Sequence, residues 1–399
     1  MIDCTKLICG TVRQSDVLRY GGASDRTPSH LLRFKREKKP ILVWNSTPAC
    51  NLRCAHCYYS AQMADPDGML TIGEAKTMID DLAAFSVPVL LFSGGEPLLR
   101  PDLFELGAYA VAHGIRTVIS TNGTLIDGTA AGRIKEAGFS YVGISLDGMP
   151  ETNDCFRGVS GAFEAAVRGI RACTEAGVKV GLRLTLNQHN FHDLTDILDL
   201  LEQERIRRAC FYHLVYAGRG RGLREEDLTL EQTRQAVDLL LERVEDTCRR
   251  SVDLEILTVD NHTDGPYVYR YLEERQPDRA PEVLQLLRWN GGNSSGIGIA
   301  SVDHQGNVHA DQFWQHYSFG NVRQRPFSEI WMDTADPVMA GLKDRKKLLT
   351  GRCGQCRYLD ICNGNFRVRA EAVHGEIWAP DPACYLTDEE IGISHHQEN

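Results

Sequence analysis

Cys50, Cys54 and Cys57 stand in one short stretch, STPACNLRCAHCYYSA, at spacing C-x3-C-x2-C. Thiolates are soft ligands, so three placed this closely suit zinc or iron–sulfur chemistry. A structural zinc ion closes a tetrahedron of four ligands, which here would require His56 as the fourth. Three thiolates alone suit a 4Fe-4S cube whose last iron keeps an open position, able to chelate a small molecule. Spacing leaves both readings open.

A second group follows near the end of the chain, Cys353-x2-Cys356-x5-Cys362, with Cys384 further on. Four thiolates can close a zinc site or a second cluster, and their spacing does not choose. A chain already holding one cluster can use another as an electron acceptor or relay, which favours iron and sulfur. The other six cysteines, Cys4, Cys9, Cys155, Cys173, Cys210 and Cys248, are scattered and read as inert, small buried hydrophobes.

These residues need a scaffold, and 399 residues with 42% hydrophobic and 25% charged content can bury a sizeable core. Lys and Arg number 44 against 54 Asp and Glu, a net charge of −10, so no overall basic field exists to hold nucleic acid or an anionic membrane. The one dense basic run, Arg33 to Lys39, reads as a solvated arm. No uninterrupted apolar run is long enough to span a bilayer. The opening MIDCTKLICG has no signal-peptide pattern, so the expected location is cytoplasmic, where thirteen cysteines point to metal rather than disulfides.

Strand-like apolar runs cover 41–46, 88–93, 116–120, 141–145, 180–186 and 209–215. Helical patterns alternate with them. One opens on the capping box Thr71-x-x-Glu74, with Ala75, Met78, Ile79 and Leu82 on one face, and others cover roughly 101–113, 127–137, 160–176 and 190–204. Six βα units in series predict an α/β fold, a partial (β/α)6 TIM-type barrel with a small C-terminal iron–sulfur domain. The expected division is an N-terminal arm at 1–40, the barrel at 41–225, a helical connection at 226–290 and the cysteine-bearing tail at 291–399. In such barrels chemistry sits on the loops after the strands. The triad follows strand one, GGEP (Gly94, Gly95, Glu96, Pro97) strand two, TNGT (121–124) strand three and LDG (146–148) strand four.

The triad after strand one with GGEP after strand two resembles the radical S-adenosylmethionine (SAM) enzymes. The resemblance implies a cluster on Cys50, Cys54 and Cys57 that binds SAM through the cofactor's amino and carboxylate groups, and reductive release of a 5'-deoxyadenosyl radical that takes hydrogen from substrate. It also implies that Gly94, Gly95, Glu96 and Pro97 form a cofactor loop, that Ser120, Asn122 and Ser145 line the nucleoside part, and that Arg183 pairs with the carboxylate. His56 departs from the aromatic residue often found before the third cysteine, which bears on packing around the adenine. The tail resembles a reduced SPASM domain, Phe366 standing where a further cysteine would be. That implies a single auxiliary 4Fe-4S cluster, ligated by Cys353, Cys356, Cys362 and Cys384.

Segments such as LFSGGEPLLRPDLFELGAYA, VYAGRGRG and GRCGQCRYLDICNGNFRVRA are similar to the radical SAM enzymes of heme d1 biosynthesis. The similarity implies action on didecarboxysiroheme, an iron tetrapyrrole, with removal of two propionate side chains on the way to heme d1, as in denitrification. A flat disc edged by carboxylates asks for guanidinium groups and aromatic walls, and Arg219, Arg221, Arg224, His309, Trp314 and His316 are compatible with that. A low-potential donor such as flavodoxin or ferredoxin and a monomeric state complete the expectation. The competing readings are an iron-coproporphyrin decarboxylase of the alternative heme pathway, a SPASM-type peptide-modifying enzyme, and a two-cluster electron carrier. The first 40 residues are short for a peptide-recognition domain, and a carrier would leave GGEP and the six βα loops unexplained.

Overall fold

Alternation of apolar strands and amphipathic helices puts both faces of each strand under cover. The computed structural model describes residues 1–13, 16–20, 39–63 and 67–393. Its strands are β1 (Ile2–Asp3), β2 (Ile41–Asn45), β3 (Val89–Ser93), β4 (Arg116–Thr121), β5 (Val142–Ser145), β6 (Val180–Leu186), β7 (Arg208–His213), β8 (Glu255–Val259), β9 (Ile299–Val302) and β10 (Val308–His309). They share one sheet in the order β1-β8-β7-β6-β5-β4-β3-β2-β9-β10.

The six expected strands are β2 to β7, adjacent in chain order and all parallel, which is the partial barrel. Two parallel strands outside the expected six widen it: β8 joins β7, and β9 joins the free edge of β2. Both were hidden by their surroundings, β8 following a polar helix and β9 being only four residues long after a Gly/Asn-rich stretch. Short antiparallel β1 and β10 close the edges. Thus the 226–290 and 291–399 segments each contribute to the sheet that carries the barrel.

Helices fall where the patterns place them. Thr71 accepts from the Glu74 N–H at 3.3 Å and the Glu74 carboxylate accepts from the Thr71 N–H at 2.8 Å, capping helix Ile72–Ala84, whose Ala75, Met78, Ile79 and Leu82 are buried. The crossover helices Leu103–Ala112, Gly128–Glu136, Ala162–Glu175 and Leu194–Gln203 follow. A further helix, Pro150–Arg157, lies between β5 and β6 and was not expected. One face of the sheet packs on the helices, with Trp44 against Phe92 (ring centroids 5.4 Å). The other face, carrying Val43 and Leu91, looks into the barrel.

The tail is tied to the sheet by Arg369, fully buried with Asp381. Its guanidinium donates to Leu214 O and Asp260 O, each at 2.9 Å, at the ends of β7 and β8. Cys9 and Cys248, expected as isolated thiols, are instead joined as a disulfide between the helix Cys4–Cys9 and the end of helix Leu230–Arg249, because the fold brings residues 239 apart in sequence together. Of the basic run, residues 33–38 lie outside the described residues, and Lys39 sits 3.9 Å over the Phe85 ring. Among the described residues no helix is long and apolar enough to cross a membrane.

Candidate active site

Three loops fix the cysteine triad. The segment after β2 rests on the helix Pro150–Arg157, with Arg53 N–H bonded to Arg157 O at 3.0 Å and Ala55 N–H to Phe156 O at 2.9 Å. From the loop after β7, Arg219 donates to Cys54 O (2.9 Å) and Ala61 O (2.8 Å). Cys50, Cys54 and Cys57 all line one cavity of about 170 Å3 at the carboxyl ends of the strands. Donors already face the sulfurs: Leu52 N–H at 3.4 Å and Asn122 Nδ2 at 4.0 Å from Cys50 Sγ, and Arg157 Nη1 at 3.5 Å from Cys54 Sγ. Burial pushes the Cys50 thiol up to about 12 and raises Cys54, so these thiols keep their protons until a metal displaces them.

GGEP is stitched to that loop. Gly95 N–H bonds Thr47 O and Glu96 N–H bonds Ala49 O, each at 2.7 Å. Gly94 has φ +123°, and a Cβ on Gly95 would collide with the Ala49 carbonyl, so both positions need glycine. Gly94 and Gly95 line the cavity; Glu96 and Pro97 do not. Glu96 is wholly buried, which raises its carboxyl, and it accepts from Thr121 Oγ1 (2.7 Å), Asn122 N–H (2.8 Å) and Leu98 N–H (3.1 Å). Its work is to fasten the loop after β4 to the loop after β3.

Ser120, Asn122, Ser145 and Arg183 also line this cavity. Arg183 lies across β5, where a side chain on Gly143 would strike it, and is held by Ser120 Oγ and by Tyr212 OH at 2.8 Å. His56 lines the same cavity, with its Nε2 turned to Asp147. Its ring stacks on Phe156 (centroids 4.7 Å, 11° between planes), Nε2 is 3.4 Å from Asp147, and burial lowers its pKa to about 4. A flat neutral imidazole thus does the packing of the aromatic residue it replaces. Asp147, from the LDG loop, also pairs with Arg157.

The Radical SAM superfamily domain matches residues 44–201. The chain is 60% identical over 395 residues to the Fe-coproporphyrin III synthase of Methanosarcina barkeri, covering 98% of this chain and 99% of that one. The chain belongs to the radical SAM superfamily. Another relative is the pre-heme d1 synthase of Dinoroseobacter shibae, 45% identical over 361 residues, 89% of this chain and 88% of that one. Among solved structures, Streptococcus suis SuiB bound to S-adenosylmethionine shares the fold, with TM-score 0.69 at 16% identity over 90% of this chain and 80% of SuiB.

As a radical SAM enzyme it uses a 4Fe-4S cluster and SAM. The donor set fits the cluster: three thiols on one wall, N–H groups aimed at two of them, and a glycine pair whose bare backbone borders the same space. Tetrahedral zinc would draw its sulfurs to within ~4 Å of one another. Among the described residues no three His, Cys, Asp or Glu side chains converge on a single-ion site.

In the radical SAM tail, Cys353 and Cys362 lie on the short helices Gly351–Gln355 and Leu359–Cys362, Cys356 follows the first helix, and Cys384 lies beyond the helix Arg367–His374. Burial raises the Cys362 thiol far above its usual range, and Cys384, Cys353 and Cys356 each push it further. Tyr358 N–H donates to Cys356 Sγ at 3.4 Å. Gly292 backs directly onto Cys362 O, which accounts for the second glycine of WNGGNSSG.

The residues matched to a tetrapyrrole are not gathered into one place. Arg219 lines the cavity but is engaged by the cysteine loop, while Arg221 and Arg224 are exposed. His309 is spent on Tyr317 O (2.7 Å) and Asp303 (3.5 Å), Trp314 is fully buried, and His316 pairs with Glu371 (3.0 Å). What the sequence reading missed is a second cavity of about 340 Å3 inside the barrel, sharing Val43, Leu91, Arg183, Tyr212, Asp260 and Gln312 with the first. A signal existed: Arg116 and Arg208 are the charged first residues of β4 and β7.

Proposed function

We propose that this radical SAM enzyme converts an iron tetrapyrrole, didecarboxysiroheme, into an iron coproporphyrin. The observation that carries the reading is the 60% identity, over nearly the whole of both chains, to a protein named Fe-coproporphyrin III synthase. This moves the expected reading from heme d1 toward the alternative heme pathway, with coproporphyrin as product rather than substrate. A coproporphyrin keeps four propionates, so the side chains removed are acetates and not the propionates first expected.

Cys50, Cys54 and Cys57 would hold the SAM-binding cluster, with Gly94, Gly95, Ser120, Asn122, Ser145 and Arg183 around the cofactor. Held there, a reduced cluster and SAM would supply the 5'-deoxyadenosyl radical chemistry that takes hydrogen from substrate. Arg183, with no carboxylate paired to it among the described residues, offers its guanidinium to a cofactor or substrate carboxylate. Glu96 and Asp147 hold the loops, and Phe313 and Tyr58 wall the cavity against water. Cys353, Cys356, Cys362 and Cys384 would carry a closed auxiliary cluster, within the proposed 291–399 tail, that takes up an electron.

Anaerobic incubation with SAM, a low-potential reductant and didecarboxysiroheme tests this by mass analysis. The expected product has the mass of iron coproporphyrin III. A product short of two propionates would return the reading to heme d1, and conversion of added iron coproporphyrin to heme would make it a heme synthase.

A further inference from the structure

Buried cations are costly unless an anion accompanies them, so a guanidinium facing a cavity with no carboxylate beside it is a request for an anionic ligand. The second cavity presents such a group. Arg116, the first residue of β4, is half-buried and lines it. Its Nε donates to Ser140 Oγ at 2.9 Å, and no carboxylate among the described residues pairs with it. Burial lowers its pKa, and the nearest charges, Arg208 and Arg19, lower it further because both are cations. Arg19 is already matched to Asp3 and Glu255, and Arg208 lies 3.2 Å from the same Glu255. One glutamate thus serves two arginines while Arg116 has none.

Arg116 and Arg208 both sit at the amino ends of their strands, the end opposite the cysteine triad. Ser120, at the cofactor end of the same β4, is four residues from Arg116, ~13 Å along a strand. That span is comparable with a tetrapyrrole and its side chains. Arg183 and Tyr212 line both cavities, so the two spaces adjoin across these side chains.

Resting on the function proposed above, we infer that the second cavity is the tetrapyrrole chamber. Arg116, supported by Arg208, holds the carboxylates that survive the reaction, while the opposite edge of the ring reaches Arg183 and the cofactor. Apolar Val118 and Leu91 on the barrel's inner wall face the disc between them.

The test titrates cluster-reconstituted protein with iron coproporphyrin III and with its tetramethyl ester, following the Soret band. Arg116→Gln should weaken the acid by about tenfold or more, Arg116→Lys should restore part of the loss, and the ester should bind parent and Arg116→Gln equally weakly. Val118→Trp, which fills the chamber without touching charge, should weaken both ligands. Cluster absorbance and melting temperature confirm that each variant is folded. Parent-like titration of the acid by Arg116→Gln or Val118→Trp overturns the chamber while leaving the function standing. Failure of the parent to bind any iron tetrapyrrole overturns the function and the chamber with it.

Discussion

Arg157 Nη1 lies 3.5 Å from Cys54 Sγ while the same guanidinium pairs with the buried Asp147. A charged donor on a ligand sulfur favours the more negative, reduced cluster. Arg157→Gln should therefore lower the potential of the SAM-binding cluster by about 40 mV, the one-electron equivalent of ~1 kcal/mol. Redox-poised EPR of the N-terminal cluster measures it, and an unchanged potential removes Arg157 from that role.

Two cysteine variants separate the clusters. Cys54→Ala and Cys362→Ala should each reduce iron from about eight to about four atoms per chain. Only Cys54→Ala should abolish 5'-deoxyadenosine formation with dithionite and SAM, because the cluster proposed on Cys50, Cys54 and Cys57 would be the one with an open position. Iron assay and chromatography of the nucleoside decide this.

Gly95→Ala places a methyl against the Ala49 carbonyl and forces the GGEP loop off the cluster loop. The expected result is at least about a tenfold loss of SAM affinity, read from the SAM-induced change in the cluster's EPR spectrum. Gly73→Ala, where the added methyl meets nothing, is the control.

Asp260 follows β8 directly, with φ +67°, and lines both cavities. Burial raises its carboxyl from 3.8 to about 7; Asp311 adds to this, and the Met1 α-amino group, Arg369 and His213 oppose it. The folded state then holds a proton that the unfolded state releases, so stability falls as pH rises from about 4 to about 7 and levels off above. Asp260→Asn, which tolerates the left-handed backbone, should be the more stable form at pH 8, with the difference gone near pH 4. Anaerobic denaturant melts across that range check the slope.

Arg369 and Asp381 are both fully buried, and Asp381 also accepts from Phe366 N–H at 2.8 Å. Asp381→Ala leaves an uncompensated guanidinium between tail and sheet and should cost about 3–5 kcal/mol. Loss of the tail cluster should accompany it, seen as halved iron at elevated temperature.

Much of the barrel was legible in local pattern. β2 to β7 are continuous apolar runs between capped amphipathic helices, and both the Thr71 cap and the face from Ala75 to Leu82 formed as their periodicity required. β8 and β9 were not legible, since a four- or five-residue strand declares itself only when a sheet edge is there to receive it. The pairing of Cys9 with Cys248 likewise depends on a contact across most of the chain.

By itself the sequence determined the spacing of the cysteines, the glycines beside them and the order of the strands, because these depend on neighbours in the chain. Only the tertiary structure decided that Glu96 fastens a loop instead of lining the cavity, that His56 packs where an aromatic residue would, and that Arg116 faces the barrel interior without an acid among the described residues. Each of those outcomes depends on which distant groups share a buried space, and burial and charge pairing are properties of the folded chain.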